Sequence, residues 1–96
     1  MTLKRIIASS CRQRMLLALA KVKRTHVTQL VRMINSTYNE VNRNLMILQE
    51  EGIIGTKRLG RLKVVELQMD NPKTLVLLKA LELLERPISK PENANL

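Results

Sequence analysis

The chain has 96 residues and a formal net charge of +9, so it can form one domain with a modest core. It contains no Phe or Trp, one Tyr and one Cys, which excludes an internal disulfide and leaves the core to aliphatic side chains. The longest apolar run, Met15 to Ala20, is too short to span a membrane, and charges interrupt any signal-peptide pattern near the N-terminus. We therefore expect a cytoplasmic protein.

The positive charge is confined to one part of the chain. Residues 1–69 hold 13 Lys and Arg against four acids, whereas residues 70–96 hold four of each. A basic body followed by a neutral, Leu-rich segment predicts one surface for a polyanion and another for a protein partner. Charge alone does not identify the polyanion, because membranes and RNA attract the same charge.

Two helices are predicted at the start of the chain. The first covers residues 2–8 and has three apolar positions, which are Leu3, Ile6 and Ile7. Ser9 or Ser10 is a suitable N-cap for the second helix, which extends to about Lys21. The apolar side chains of this second helix recur at helical spacing and form an inward stripe of Cys11, Met15, Leu16, Leu19 and Ala20.

A short strand and a third helix are predicted next. Residues 25–27 have the composition of a very short strand. Thr28 then has the side chain expected of an N-cap, for a helix over residues 29–34. Asn35 and Ser36 form the turn that ends this helix.

The most informative segment is the fourth predicted helix, over residues 37–50. Thr37 and Glu40 form a T-x-x-E capping box at its start. Its apolar residues recur at four- and three-residue spacing and share a buried face, which consists of Val41, Leu45 and Leu48. Gly52 is a typical helix stop that is free to adopt a left-handed backbone.

The opposite face of this helix carries Asn39, Asn42, Arg43 and Met46. Asn is a weak helix former, and a solvated face would typically carry Glu and Lys, so the choice of Asn needs a reason. Asn bonds adenine, Arg bonds guanine, and Met contacts the thymine methyl group, so this face is predicted to recognise bases. A merely solvated face is the alternative.

Contacts with DNA are expected in the first turns of this helix. The hydroxyl of Thr37 suits a phosphate oxygen, and so does the helix N-terminus. Tyr38, the only aromatic residue, either bonds phosphate or packs on the joint between the helices. Glu50 and Glu51 lie at the far end, where they would repel phosphate.

A β-hairpin follows, with strands over residues 53–58 and 61–68 and the turn at Leu59 and Gly60. The segment 55–66 is predicted to be a basic wing with four cations and no acid around its tip, which are Lys57, Arg58, Arg61 and Lys63. These cations either protect a strand edge from aggregation or contact phosphate or the minor groove. Four of them exceed the need of an edge, so we favour contact with DNA.

The last predicted helix begins with an Asn71 cap and Pro72 at its first position, extends to about Arg86 and ends at Pro87. It is apolar nearly all round, which indicates that part of its surface packs on a second copy of the chain. The predicted dimer interface consists of Leu75, Leu78, Leu81 and Leu84, joined by Leu3, Ile6 and Ile7. Residues 87–96 are predicted to be a disordered tail, so the domain covers residues 1–86.

The order of these elements resembles the winged helix-turn-helix domains of the ArsR-like and MarR-like transcription regulators. Ser9-Ser-Cys-Arg-Gln-Arg-Met-Leu-Leu-Ala-Leu19 looks like the arginine-containing opening helix of the ArsR-like group. Val27-Thr-Gln-Leu30 looks like the start of the positioning helix, and Val41 to Leu48 followed by Gly52-Ile-Ile looks like the recognition helix and its exit into the wing. The resemblance covers roughly residues 3–84 and implies a mainly α fold with a small β-hairpin.

Metal binding and catalysis are not predicted. Metal sensors of the ArsR-like group use clustered Cys, His or carboxylates, whereas Cys11 and His26 are fifteen positions apart. Cys11 is expected to be a buried apolar residue, with a redox role as the alternative. The sequence shows no nucleophile–base pair, carboxylate pair or phosphate loop, so we expect neither an enzyme nor a cofactor.

These patterns together predict a homodimeric regulator of transcription, most simply a repressor, associated with the nucleoid in the cytoplasm. Residues 37–50 would enter the major groove of double-stranded DNA, and wing 55–66 would contact the backbone or minor groove. A sequence-tolerant nucleoid or chromatin protein of the same fold is one alternative. A winged helix that serves only for protein interaction is the other.

Overall fold

The computed structural model describes residues 3–85, so the predicted tail over 87–96 lies outside the described part. Within that part, a small antiparallel sheet accompanies a mainly helical chain, as predicted. The elements are α1 (Leu3–Ile7), α2 (Ser10–Val22), β1 (Arg24–His26), α3 (Val27–Ile34), α4 (Tyr38–Glu50), β2 (Ile54–Leu59), β3 (Leu62–Leu67) and α5 (Pro72–Glu85). None of the helices in residues 3–85 is both long and apolar enough to cross a bilayer.

The start of α2 confirms its predicted cap, whereas the start of α3 differs from the prediction. The Ser9 hydroxyl accepts a hydrogen bond of 3.2 Å from the Arg12 amide. Thr28 was expected to cap α3, but His26 does so, because its Nδ1 accepts a bond of 3.3 Å from the Gln29 amide. The helix therefore begins at Val27, and His26 has a structural role.

Helix α4 has the predicted ends. The Thr37 hydroxyl accepts a bond of 3.1 Å from the Glu40 amide. The other half of the expected capping box differs, because the Glu40 carboxylate accepts from the Ser36 hydroxyl instead of the Thr37 amide. Gly52 has a φ of +76°, and the amide after it bonds the Leu48 carbonyl at 3.0 Å, which closes the helix end and directs the chain into the hairpin.

The sheet has the order β1-β3-β2, so the three residues of β1 cover the β3 edge of the hairpin. They pair with Glu66, Val65 and Val64, at the base of β3. Leu59 pairs with Leu62, so the turn consists of Gly60 and Arg61, one residue later than predicted. Gly60 has a φ of +62°, which is the reason glycine suits the first position of this turn.

The core lies between the helices and the inner face of the sheet. Helix α4 contributes the stripe predicted for it, and Val65 and Leu67 contribute from β3. Helix α2 contributes its predicted stripe except for one position, because Ala18 is buried there and Ala20 is only half-buried. Helix α5 is attached to the end of α4, because Asn71 caps it with a 3.0 Å bond from the Lys73 amide and donates a 2.8 Å bond to the Gly52 carbonyl. This attachment places α5 against α2 and leaves its outer side open.

The predicted dimer residues fall into two groups. Ile6 and Leu81 are only 0% and 2% exposed and belong to the core of their own protomer, so the structure corrects their place in the interface. Leu75 and Leu84 are exposed and Leu78 is half-buried. The side chains of Leu3 and Ile7 lie outside what the structure describes. The outer side of α5 also presents Val76 and Leu83, which are 69% and 51% exposed and were not in the predicted set.

Candidate nucleic-acid interface

Helix α4 presents the predicted polar face on the outside of the domain. Asn39 and Arg43 are exposed, Met46 is 56% exposed and Asn42 is half-buried. The opposite stripe, Val41, Leu45 and Leu48, is almost completely buried in the core. Because the buried stripe fixes the rotation of the helix, the four outward side chains are held on a defined surface.

An arginine–asparagine contact fixes α4 further. Arg12 in α2 donates a 2.6 Å hydrogen bond to Asn44 Oδ1, and the Asn44 amide nitrogen donates a 2.8 Å bond to the Glu40 carbonyl. Arg12 Nε also donates to the Ile6 carbonyl at 3.3 Å. The Arg12 side chain therefore joins α1, α2 and α4. This contact was not predicted from the sequence, although Asn44 lies three residues after Val41 and so had to face inward.

A second arginine of α2 holds the segment between α3 and α4. Arg14 donates a 2.7 Å bond from Nη1 to the Ile34 carbonyl at the end of α3. Asn35 follows with a left-handed backbone, at a φ of +54°. The charged donor at the carbonyl end of α3 stabilises that end and sets the turn that orients α4.

The inner face of the hairpin contacts α4 at two places. Side chains alternate along β3, so Lys63 shares a face with the buried Val65 and Leu67. From this face Lys63 Nζ donates a 3.0 Å bond to Asn42 Oδ1. Two helical turns further along α4, Thr56 Oγ1 donates to Gln49 Oε1 at 3.5 Å. The wing and the outward face of α4 are thus parts of one surface.

Three wing cations line a cleft beside the start of α4. Its lining includes Arg58, Arg61 and Lys63 from the hairpin, Thr28 from α3 and Tyr38 from α4. Arg58 lies directly opposite Lys63 in the hairpin, so two like charges are adjacent without an acid between them. Such a cationic cleft with hydroxyl groups suits a phosphate oxygen. Lys57 pairs with Val64 and points to the outer face of the hairpin, away from this cleft.

The end of α4 is less acidic than its sequence suggests. Arg5 in α1 forms ion pairs of 2.7 Å with Glu50 and 2.5 Å with Glu51. The hydrogen bonds that Arg5 donates to these carboxylates raise its pKa above the ordinary value. The two acids that were expected to repel phosphate therefore have a cation beside them.

Cys11 lies inside the core, as expected of an apolar residue. It is 1% exposed, and its Sγ lies 3.8 Å from Met15 Sδ. Burial, assisted by the negative charge of Glu40, raises the pKa of the Cys11 thiol. Among the described residues, no three His, Cys, Asp or Glu side chains form a group that could hold a metal ion.

Comparison with known proteins gives structural relatives. No protein-family model matches the chain, and no curated protein matches it significantly in sequence. Among solved structures, the antimony-specific transcriptional repressor AntR is 27% identical with a TM-score of 0.71, over 84% of this chain and 72% of that one. The transcriptional repressor BigR from Xylella fastidiosa is 20% identical with a TM-score of 0.74, over 88% and 83% of the two chains.

A third similar structure comes from Mycobacterium bovis. It is a homodimeric winged helix-turn-helix DNA-binding domain, described as a possible ArsR-family regulator. It is 16% identical with a TM-score of 0.68, over 83% of this chain and 71% of that one. The chain therefore has the winged helix-turn-helix fold, which confirms the fold that the sequence motifs predict.

Proposed function

We propose that this protein is a homodimeric DNA-binding repressor of transcription that recognises specific sequences. The observation that carries the proposal is the continuous surface formed by α4 and the wing. It combines amide, guanidinium and thioether groups, which suit base edges, with a cationic cleft, which suits phosphate. We infer that α4 enters the major groove and that the wing follows the adjacent backbone or minor groove.

The dimer is supported by the outer side of α5. Val76, Leu83 and Leu84 are 69%, 51% and 71% exposed, and a small monomer gains nothing from such a surface in water. A two-fold dimer through this side would bury these side chains in both copies. The structurally similar domain from Mycobacterium bovis is described as homodimeric, and two linked α4 helices would contact half-sites about one helical turn apart.

We do not propose a response to antimony, although AntR is described as antimony-specific. Antimony would require soft or clustered ligands, and the only Cys of this chain is buried with a raised pKa. We propose a repressor without a metal cofactor. It would act in the cytoplasm at the nucleoid, where its DNA lies.

The test is binding-site selection from random DNA duplexes at two salt concentrations. Wild-type protein is expected to enrich a defined sequence, with affinity falling as salt rises. Arg43→Ala should lower affinity by about 1–3 kcal/mol and relax base preference, because Arg43 lies on the face assigned to bases. Arg61→Ala should weaken binding to all sequences and reduce the salt slope by about one, because Arg61 lies in the phosphate cleft.

Three results would contradict the proposal. Enrichment of no sequence would indicate a sequence-tolerant nucleoid protein. Absence of salt-dependent binding would indicate a protein-interaction module. Equal losses from Arg43→Ala and Arg61→Ala on every DNA would contradict the assignment of α4 to base recognition.

A further inference from the structure

The hydrogen bond between Lys63 and Asn42 has a consequence for base recognition. Both side chains are half-buried, and Lys63 Nζ lies 3.0 Å from Asn42 Oδ1. An ammonium group has only donors, so the oxygen of the Asn42 amide must face it. The amide nitrogen then lies on the other side, and within residues 3–85 it has no protein acceptor.

We propose that Lys63 is a positioning residue that makes Asn42 a hydrogen-bond donor and thereby directs it to guanine. This inference rests on the proposed function, since it assumes that α4 contacts bases. A free Asn side chain binds adenine by accepting from N6 and donating to N7. Asn42 has its oxygen engaged by a cation, so its NH2 group is best matched by the two acceptors of guanine, O6 and N7.

The charge of Lys63 acts in the same direction. An ammonium group next to the amide makes the local potential positive, which favours the acceptor atoms of guanine over the N6 donor of adenine. The fold maintains this arrangement, because Lys63 lies on the inner face of β3, two residues before the buried Val65. The wing would thus determine base preference through a residue that need not touch a base.

The experiment is the same selection, carried out with three variants. Asn42→Ala identifies the base pair that Asn42 contacts, because the selected sequence loses its base preference at that position. Lys63→Met removes the ammonium group and keeps the length of the side chain. Lys57→Met is the matched control, since it removes the same charge from the outer face of the wing.

At the base pair identified by Asn42→Ala, the wild-type protein is expected to prefer guanine over adenine by about tenfold. Lys63→Met should reduce that ratio by about tenfold or reverse it, because the freed oxygen can accept from adenine. Lys57→Met should weaken binding to all duplexes and leave the ratio unchanged.

Any other result contradicts either the inference about Lys63 or the proposed function, and the two cases can be told apart. If Lys63→Met keeps the guanine preference and only loses affinity, Lys63 contacts phosphate in the complex and the inference is wrong, while the proposed function stands. If the wild-type protein enriches no sequence, the proposed function itself fails. If circular dichroism shows that Lys63→Met is unfolded, the inference is tested by Asn42→Ala alone. If Asn42→Ala selects the same sequence as the wild-type protein, the inference is wrong.

Discussion

The contact between Arg12 and Asn44 should stabilise the fold by an amount that a double-mutant cycle can measure. The bond is 2.6 Å long, one partner is charged, and Asn44 is only 7% exposed. A hydrogen bond to a charged group contributes about 1.5–3 kcal/mol to the free energy of unfolding. Leaving a buried polar group without its partner lowers that free energy by about 1–3 kcal/mol. We expect Arg12→Met and Asn44→Leu each to lower the free energy of unfolding by about 2–3 kcal/mol.

The double variant should lose little more than either single variant. Replacing both side chains by apolar ones leaves neither half of the Arg12–Asn44 bond without its partner. The Arg12 bond to the Ile6 carbonyl is lost in both Arg12→Met and the double variant, so it cancels in the cycle, and the coupling energy should be about 2 kcal/mol. The assay is urea unfolding followed by circular dichroism, at one fixed protein concentration because the proposed dimer would make stability depend on concentration. In a chain of this size each kcal/mol also corresponds to roughly 4–8 °C in Tm.

Arg14 provides the matched control for this cycle. It lies two residues from Arg12 in the same helix, but it bonds the Ile34 carbonyl and not Asn44. The effects of Arg14→Met and Asn44→Leu should therefore add to within about 0.5 kcal/mol. A coupling between Arg12 and Asn44 that is equally small would refute the reasoning, because the contact would then contribute nothing of its own.

Two further predictions concern α5 and Cys11. Leu83→Glu should convert the proposed dimer to a monomer in sedimentation experiments, since it places a charge in the exposed apolar side of α5. Lys79→Glu, at a position already charged, should leave the oligomeric state unchanged. A dimeric Leu83→Glu protein would contradict the assignment of the interface to this side of α5. Because burial raises the pKa of Cys11, the folded state keeps this proton longer than the unfolded state, so the stability linked to it is present below the ordinary thiol pKa of about 8.5 and lost as pH rises towards the folded value. The free energy of unfolding should fall more steeply above that pH for the wild-type protein than for Cys11→Ala, and parallel curves would show that the thiol does not titrate with unfolding.

The elements that sequence predicted best are those with local signals at their ends. Helix α4 has a Thr cap, an apolar stripe and a terminal Gly, and the structure places its ends within a residue of the prediction. The start of α3 was missed, because His26 is an uncommon cap and the neighbouring Thr28 is a common one. The hairpin turn was displaced by one residue, since Leu59 and Leu62 are equally compatible with strand or turn.

The contacts that define the candidate site are between elements, and sequence spacing does not specify them. Lys63 was predicted as one of four wing cations, but its bond to Asn42 depends on the register of β3 against β2 and on the distance between the hairpin and α4. The ion pairs of Arg5 join residues more than forty positions apart. Ile6 and Leu81 show the same limit, because an apolar pattern identifies residues that avoid water without distinguishing the protomer core from an interface.

The short strand β1 has a consequence for how the wing behaves mechanically. It pairs with residues 64–66 of β3 and no further, so the base of the hairpin belongs to a three-stranded sheet, whereas from Lys63 to the turn the hairpin has only two strands. An isolated pair of strands is only marginally stable in water. The hairpin is therefore braced at its three-stranded base and more easily deformed at its tip around Arg61. For the DNA contact proposed above, this predicts a wing tip that adjusts to grooves of different width while the base keeps its register with α4.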